Sequence, residues 1–115
     1  MLTEQKNMQL ETRDNMRGGE GSVDILHAVP KEHLPAKARL FSLITLKKGC
    51  GVGRHEHSAE SEVYYAISGE GMLDDNGTLR PFKKGDCHVC NSGGFHAVSN
   101  EREEPFVLIA AIILD

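Results

Sequence analysis

The chain has 115 residues, which is close to the commonest size of one domain and leaves no room for a second. Its formal charge of −4 and its lack of tryptophan disfavour a nucleic-acid partner, which needs clustered basic residues and often aromatic stacking. The polar start has no apolar core of a signal peptide, and no stretch is long enough to span a bilayer, so we predict a cytoplasmic protein without a membrane partner.

The N-terminal part of the chain is polar up to about Arg17 and shows no apolar period. A glycine cluster at 18–21 follows and precedes the apolar run 23–29. Because a phosphate-binding glycine loop opens a helix, a cluster in front of a strand-like run is predicted to be a plain linker. The sequence therefore predicts a loose arm at 1–20 and one domain at 21–115.

Short β-strands are predicted along the rest of the chain. Pro30 and Pro35 bracket one turn of helix at most, and Asp75-Asn76-Gly77 is a strong hairpin signal. The predicted strands are 23–29, 39–46, the segment with His55 and His57, 63–67, two strands within 72–83, 87–90, 96–99 and 106–114. Short strands, frequent glycine turns and no convincing helix indicate an all-β barrel or sandwich.

The last predicted strand, 106–114, is apolar throughout and shows no alternation. Such a strand should be covered on both faces, but the lining of one barrel covers only one of them. We therefore expect that a second subunit, forming a homodimer, or the N-terminal arm covers the other face.

Two stretches carry the residues that matter most for function. Residues 49–69 have the pattern G-x5-H-x-H-x4-E-x6-G, and residues 85–100 have the pattern G-x7-G-x2-H-x3-N. Side chains two apart on a strand share a face, so His55 and His57 should point inward and Glu56 outward. The next inward side chain should be Glu62, which we expect to begin the following strand, whereas we predict Glu60 to be solvated in the connecting turn. Three imidazoles and one carboxylate can fill four positions around a divalent metal.

These stretches resemble the paired motifs of the cupin superfamily, and they match at every motif position except Asn91, where the family has proline. Asparagine also favours turns, so the departure is mild. The resemblance implies a single-domain cupin jelly-roll barrel. It also implies a metal site made by His55, His57, Glu62 and His96, for which manganese, iron, nickel, cobalt, copper and zinc all remain candidates.

Two further side chains are candidates for a role beside the metal. Tyr64 lies two residues after Glu62, so its hydroxyl either hydrogen-bonds a bound ligand or is simply part of the core. His88 is a candidate proton carrier if it faces the cavity. Strand parity leaves open whether Cys87 and Val89 or His88 and Cys90 face inward.

The remaining cysteine and histidine residues suggest no further chemistry. Cys87 and Cys90 are three apart on a strand, so they should face opposite ways and neither join nor chelate together. An odd cysteine count of 3 favours reduced thiols. His27 and His33 lie outside the motifs, and we interpret them as surface or interface histidines.

Cupins include dioxygenases, decarboxylases, isomerases and sensing domains, so the resemblance does not name a reaction. We expect a metal-dependent enzyme that binds a small molecule with carboxylate or enediol oxygens, with a non-catalytic sensing or binding module as the alternative. Oxalate-degrading cupins carry an arginine where this chain has Val52. Arg39 is a candidate substitute if its strand turns it inward, whereas Arg54 should face outward.

Overall fold

The computed structural model describes the whole chain, Met1–Asp115, as ten β-strands and three single turns of 3₁₀ helix. None of these turns has the length or apolarity of a bilayer-spanning helix. The helical turns are Gln5–Asn7, Met16–Gly18 and Lys31–His33. The strands are β1 (Gln9–Asp14), β2 (Ser22–His27), β3 (Ala38–Leu46), β4 (Cys50–Glu56), β5 (Glu60–Ser68), β6 (Glu70–Asp75), β7 (Thr78–Lys83), β8 (Cys87–Cys90), β9 (Phe95–Asn100) and β10 (Phe106–Leu114).

The strands form two antiparallel sheets. The six-stranded sheet has the order β1-β2-β3-β10-β5-β8, and the four-stranded sheet has the order β4-β9-β6-β7. Each of the two cupin-like stretches contributes one strand to each sheet: β4 and β5 come from the first stretch, and β8 and β9 come from the second. The all-β architecture predicted from the sequence is confirmed.

The core lies between the sheets and follows the two-residue period of the strands. β2 and β3 bury alternate side chains, and β10 buries Phe106, Leu108, Ala110 and Ile112. Leu73, Phe82 and Val98 come from the opposite sheet. Apolar burial on facing strands therefore fixes which side chains point into the barrel.

The predicted hairpin at residues 75–77 is confirmed. Asn76 and Gly77 are the two residues between β6 and β7, and their φ angles are 50° and 95°. Positive φ at both central positions is the backbone of the turn that suits the twist of two antiparallel strands. The Asp74 side chain accepts a hydrogen bond from Gly77 N at 2.8 Å, which supports the turn.

The N-terminal part of the chain is more ordered than we predicted. Residues 9–14 form β1, which pairs with β2 in continuous register from Gln9–His27 to Asp14–Ser22. The prediction missed this strand because it lies at the sheet edge and buries no side chain, so it needs no apolar alternation. A domain boundary at residue 20 stays a prediction.

The outer face of β10 is not covered by the arm in the way we considered. β1 extends the edge of the six-stranded sheet, with β2 and β3 between it and β10. The outward side chains of β10 are partly exposed, and Ile113 is 48% exposed. β1, the strand formed by the N-terminal arm, therefore does not cover the outer apolar face of β10.

Candidate metal centre

The four side chains predicted as metal ligands meet at one point between the sheets. His55 lies on β4, His57 directly follows that strand, and His96 lies opposite His55 on β9. Glu62 comes from β5 in the other sheet. Their ligand atoms all lie within 4.8 Å of one another. The facing sheets thus bring together groups that are far apart in the sequence.

The distances within this cluster fit one metal ion. His96 Nε2 is 3.0 Å from the Nε2 atoms of His55 and His57 and 3.0 Å from Glu62 Oε1. That carboxylate oxygen is 3.0 Å from His57 Nε2 and 3.5 Å from His55 Nε2. Metal–imidazole bonds are about 2.1 Å long, so two ligands at right angles around an ion lie about 3.0 Å apart. The spacing suits four ligands of a six-coordinate ion, with two positions left for a bound molecule.

Each imidazole also has a partner at its outward Nδ1 atom. An oxygen partner fixes the tautomer of His55 and of His57, because an N–H on Nδ1 leaves the Nε2 lone pair facing the centre, whereas a ring nitrogen beside His96 can either donate or accept. The partners are the Gly53 carbonyl oxygen for His55 (2.8 Å), the Glu60 carboxylate for His57 (2.7 Å) and the Nε2 atom of His88 for His96 (3.1 Å). Lone pairs and a carboxylate that converge in this way favour a cation between them.

When the imidazoles carry protons on Nε2 instead, these atoms donate to Glu62. Burial raises the pKa of the Glu62 carboxyl, but hydrogen bonds with the three imidazoles outweigh burial and hold this pKa well below its usual range. The hydrogen bond to Glu62 raises the pKa of His57, whereas burial lowers the pKa of His96. The centre therefore keeps a carboxylate in a buried position and favours positive charge beside it.

Our prediction that Glu60 is solvated is wrong. Glu60 begins β5, its side chain is 13% exposed, and it binds both His57 Nδ1 and the Arg39 guanidinium, the latter at 2.8 Å through two hydrogen bonds. The hydrogen bonds with Arg39 lower the pKa of Glu60 to about 2 despite partial burial. Arg39 is exposed and holds Glu60 beside the cluster, while Arg54 faces outward as predicted and pairs with Asp74.

The structure places both further candidates, Tyr64 and His88, in contact with the His96 ring. Tyr64 is buried and its ring stacks on that of His96, with centroids 4.8 Å apart and planes 8° from parallel. Burial, aided by the Glu62 charge, raises the pKa of Tyr64 well above its usual range. His88 and Cys90 face inward, and Cys87 and Val89 are exposed, which resolves the parity left open by the sequence. His88 thus lies behind His96, on the side away from the cluster.

His27 is not the surface or interface residue that we predicted. It is 4% exposed, and its Nε2 and Nδ1 atoms are hydrogen-bonded to Glu11 at 2.8 Å and to Ser42 at 3.1 Å. This chain of contacts joins β1, β2 and β3. His33 is exposed, as predicted. Cys50, Cys87 and Cys90 form no disulfide.

A cavity of about 230 Å³ opens beside the cluster. This volume is below the roughly 300–1,000 Å³ of pockets for drug-sized ligands, so the cavity suits a small metabolite. His55, His57, Glu62 and Tyr64 form its inner wall, and it also has four cationic side chains, Arg13, Arg17, Lys31 and Arg39. Glu62 is the one carboxylate in the lining, so the cavity favours an anion.

Sequence reasoning missed three residues around this site. Glu60 was predicted to lie in the connecting turn, but β5 begins at Glu60, so Glu60 and Glu62 share one face of the strand. Glu11 and Arg17 lie in the polar arm, where no apolar pattern marked a structured segment. The one sequence feature near Arg17 that could have indicated a structured segment was the glycine cluster at 18–21. Such a cluster usually indicates a tight turn or a close backbone contact rather than a binding site.

Comparisons with known proteins agree with the motifs and the fold. The chain is 40% identical over 114 residues to the oxalate-binding protein of Thermotoga maritima, covering 99% of this chain and 94% of that protein. It also superimposes on the crystal structure of a predicted oxalate decarboxylase from Thermotoga maritima, with a TM-score of 0.94, 39% identity and 100% of both chains covered.

A more distant structure shows the same fold. The sugar phosphate isomerase of a cupin superfamily from Silicibacter pomeroyi matches with a TM-score of 0.75 and 19% identity, over 93% of this chain and 73% of that one. A family model described as the cupin domain matches residues 42–112, which include every residue of the two motifs and of the cluster. By the match of its sequence and its jelly-roll fold, the chain belongs to the cupin domain family.

Proposed function

We propose that the protein binds a divalent transition metal through His55, His57, Glu62 and His96 and that the metal binds a small dicarboxylate, with oxalate the first candidate. The observation that carries this proposal is the convergence of three Nε2 atoms and one carboxylate oxygen beside a cationic cavity, with His96 Nε2 and Glu62 Oε1 each lying 3.0–3.5 Å from the other three atoms. The relative at 40% identity that is named an oxalate-binding protein supports the choice of ligand.

The charges of the site suit such a ligand. One carboxylate among three neutral imidazoles leaves a divalent ion with a net charge of about +1, which attracts an anion. When bound, the ion supplies Lewis-acid charge to the ligand's oxygens. Tyr64 stays protonated because burial, together with the charge of Glu62 and a hydrogen bond to it, raises its pKa, so a ligand oxygen would share this donor with Glu62.

The lining of the cavity favours binding over turnover. Loss of carbon dioxide from a carboxylate leaves a carbanion that needs a proton, so a decarboxylase benefits from an acid beside the reacting carbon. Glu62 is engaged with the imidazoles, and Tyr64 holds its proton tightly. His88 lies behind His96 and does not line the cavity, and His27, which does line it, has both ring nitrogens engaged with Glu11 and Ser42. The non-catalytic alternative is therefore the function that this geometry supports best.

The first test combines elemental analysis with titration calorimetry. Protein purified without chelators should hold about one metal atom per chain, and the metal-loaded protein should bind oxalate, whereas protein stripped by chelator should not. The metal detected would choose among manganese, iron, nickel, cobalt, copper and zinc. No metal uptake on adding any of these ions would contradict the proposal, and equal oxalate binding with and without metal would contradict the role of the ion.

A metal-dependent decarboxylase or dioxygenase is the second candidate, supported by the structural match to a predicted oxalate decarboxylase. Carbon dioxide release and oxygen uptake should be followed with the metal-loaded protein and oxalate at saturating concentration. Binding without either signal would support the binding module. Sustained release of carbon dioxide would instead establish an enzyme and would assign Tyr64 or a bound water as proton donor.

We also propose that the protein is a homodimer in a reducing compartment, the cytoplasm. The outer face of the six-stranded sheet exposes Phe41, Tyr65 and Ile113 by 42–48% on three neighbouring strands, and no segment of the chain covers it. A monomeric mass by light scattering at micromolar concentration would exclude the dimer.

Three thiols without a disulfide suit a reducing environment. Thiols found oxidised in protein trapped from cells would exclude the cytoplasm as the compartment.

A further inference from the structure

The four cationic side chains of the cavity are not equivalent. Arg13 pairs with Glu11 at 2.7 Å, and Arg39 pairs with Glu60 at 2.8 Å. Arg17 also lines the cavity, but it has no carboxylate partner within ion-pair distance. Lys31 likewise has none. The charge of Arg17 is therefore free to act on whatever the cavity holds.

The backbone holds Arg17 in an unusual conformation. Its φ and ψ angles are 54° and 30°, in the left-handed region that long side chains rarely adopt. Asn15, two residues earlier, is left-handed too, and its side chain donates to Gly19 O at 3.1 Å. A non-glycine residue kept in such a conformation is a common mark of a functional position.

Glycine contacts hold this segment, Asn15–Gly21, against β4. A Cβ atom at Gly53 would collide with the carbonyl oxygen of Arg17, and one at Gly19 would collide with that of Gly51. Gly51 N also donates to Glu20 O at 3.0 Å. Because Gly53 accepts the hydrogen bond of His55, the segment is docked on the strand that carries the metal cluster.

Arg17 borders the same cavity as the centre. The residue is exposed, and it lines the cavity together with His55, Glu62 and Tyr64. A ligand between the cluster and the mouth of the cavity would lie within the field of this cation.

We propose that Arg17 is a specificity-determining residue that binds the second carboxylate of a small dianion whose first acidic group is held at the metal centre. This inference rests on the proposed function. A guanidinium can give two parallel N–H donors to one carboxylate, which a lysine such as Lys31 cannot do. The site then distinguishes dicarboxylates from monocarboxylates, because a monocarboxylate leaves Arg17 without a partner.

The test compares oxalate with acetate in calorimetric titrations of the metal-loaded protein. Replacing Arg17 with glutamine should weaken oxalate binding roughly ten- to a hundredfold and leave acetate binding and metal content unchanged. Arg80→Gln is the matched control, since Arg80 is exposed on β7, at the far edge of the other sheet, and should change neither affinity. Arg17→Gly should lose the same oxalate affinity without losing stability, because glycine accepts the left-handed conformation.

Each other outcome overturns the inference in a recognisable way. Equal oxalate affinity in wild-type protein and Arg17→Gln would remove Arg17 from the site while leaving the proposed function intact. An equal loss for acetate, or a loss of metal or stability in both variants, would show that Arg17 only maintains the shape of the site. Wild-type protein that takes up no metal, or binds no oxalate when loaded, would overturn the proposed function and this inference together.

Discussion

The metal cluster and the Asn15–Gly21 segment are built in different ways, although they border the same cavity. The proposed ligands stand on or directly after strands of both sheets and are buried, and each of the three imidazoles has a partner at both ring nitrogens. The segment is exposed, runs through left-handed residues and is held by contacts to glycine backbone. The sheets therefore position the side chains of the centre, while a short segment at the sheet edge places Arg17 at the cavity without carrying any of those side chains.

The largest effect is expected from removing one of the proposed metal ligands. His57→Ala should reduce bound metal from about one atom per chain to nearly none, because an ion with three ligands and no outer support is held weakly. The fold should survive, since the apolar core lies mainly elsewhere. Elemental analysis with a far-ultraviolet circular dichroism spectrum measures both. Glu56→Ala is the control, because Glu56 is exposed, and full metal occupancy in His57→Ala would refute the ligand assignment.

A milder change tests the partners behind the ligands. Glu60→Gln should weaken metal affinity roughly 10- to 100-fold, because the amide holds the His57 imidazole less well than the carboxylate does. Competition with a metal-binding dye measures this change. The matched control is Glu103→Gln, whose carboxylate pairs with Lys48 on the surface. Unchanged affinity in Glu60→Gln would mean that the strand alone orients His57.

The contact between the segment Asn15–Gly21 and β4 can be tested by replacing a glycine at the point of contact. Gly53→Ala should destabilise the protein by about 1–3 kcal/mol, because the added Cβ meets backbone atoms of residues 17 and 19 that must shift. Urea unfolding gives the free energy, and hydrogen exchange should rise in residues 15–21 before it rises in β10. Gly85→Ala is a useful comparison, since that position has open space and a strained φ of +93°. Faster exchange in both variants would argue against a specific docking contact.

The smallest predicted effect concerns the anchor of β1. Hydrogen bonds with Arg13 and His27 lower the pKa of Glu11 to about 2 from an ordinary value of 4.5. A lowered carboxyl pKa stabilises the fold fully above pH 4.5, and this contribution is lost as the pH falls toward 2. Because Glu11 is 30% exposed, we expect no more than about 1 kcal/mol. Urea unfolding at several pH values should show this loss in wild-type protein and not in Glu11→Gln.

Much of the fold and the cluster could be predicted from the sequence because both depend on a strict period. Strand parity placed His55 inward and Glu56 outward, and the hairpin at Asn76-Gly77 requires residues that tolerate positive φ. The motif spacings predicted which four residues meet, although the distances among them depend on how the two sheets face one another.

Other features could not be predicted because no period marks them. β1 buries no side chain, so an apolar pattern cannot reveal it. Glu60 is held by Arg39 on a different strand, and His27 is buried between residues 11 and 42. Such contacts depend on which strands become neighbours, and a single sequence does not state this. Arg17 owes its position to a left-handed backbone that arginine does not favour.

The pairing of His55 with His96 across β4 and β9 links the register of these two strands to the formation of the centre. Their positions are set by the hydrogen-bond register of two antiparallel strands, next to an irregularity between Val52 and His55. A slip of one residue would turn one ring to the opposite face and separate the ligands. Chains with a misaligned four-stranded sheet would then fail to load metal. If the proposed metal site is right, metal uptake by refolded protein should therefore measure the fraction of molecules with the correct strand register. It should do so even when two preparations have the same secondary structure content.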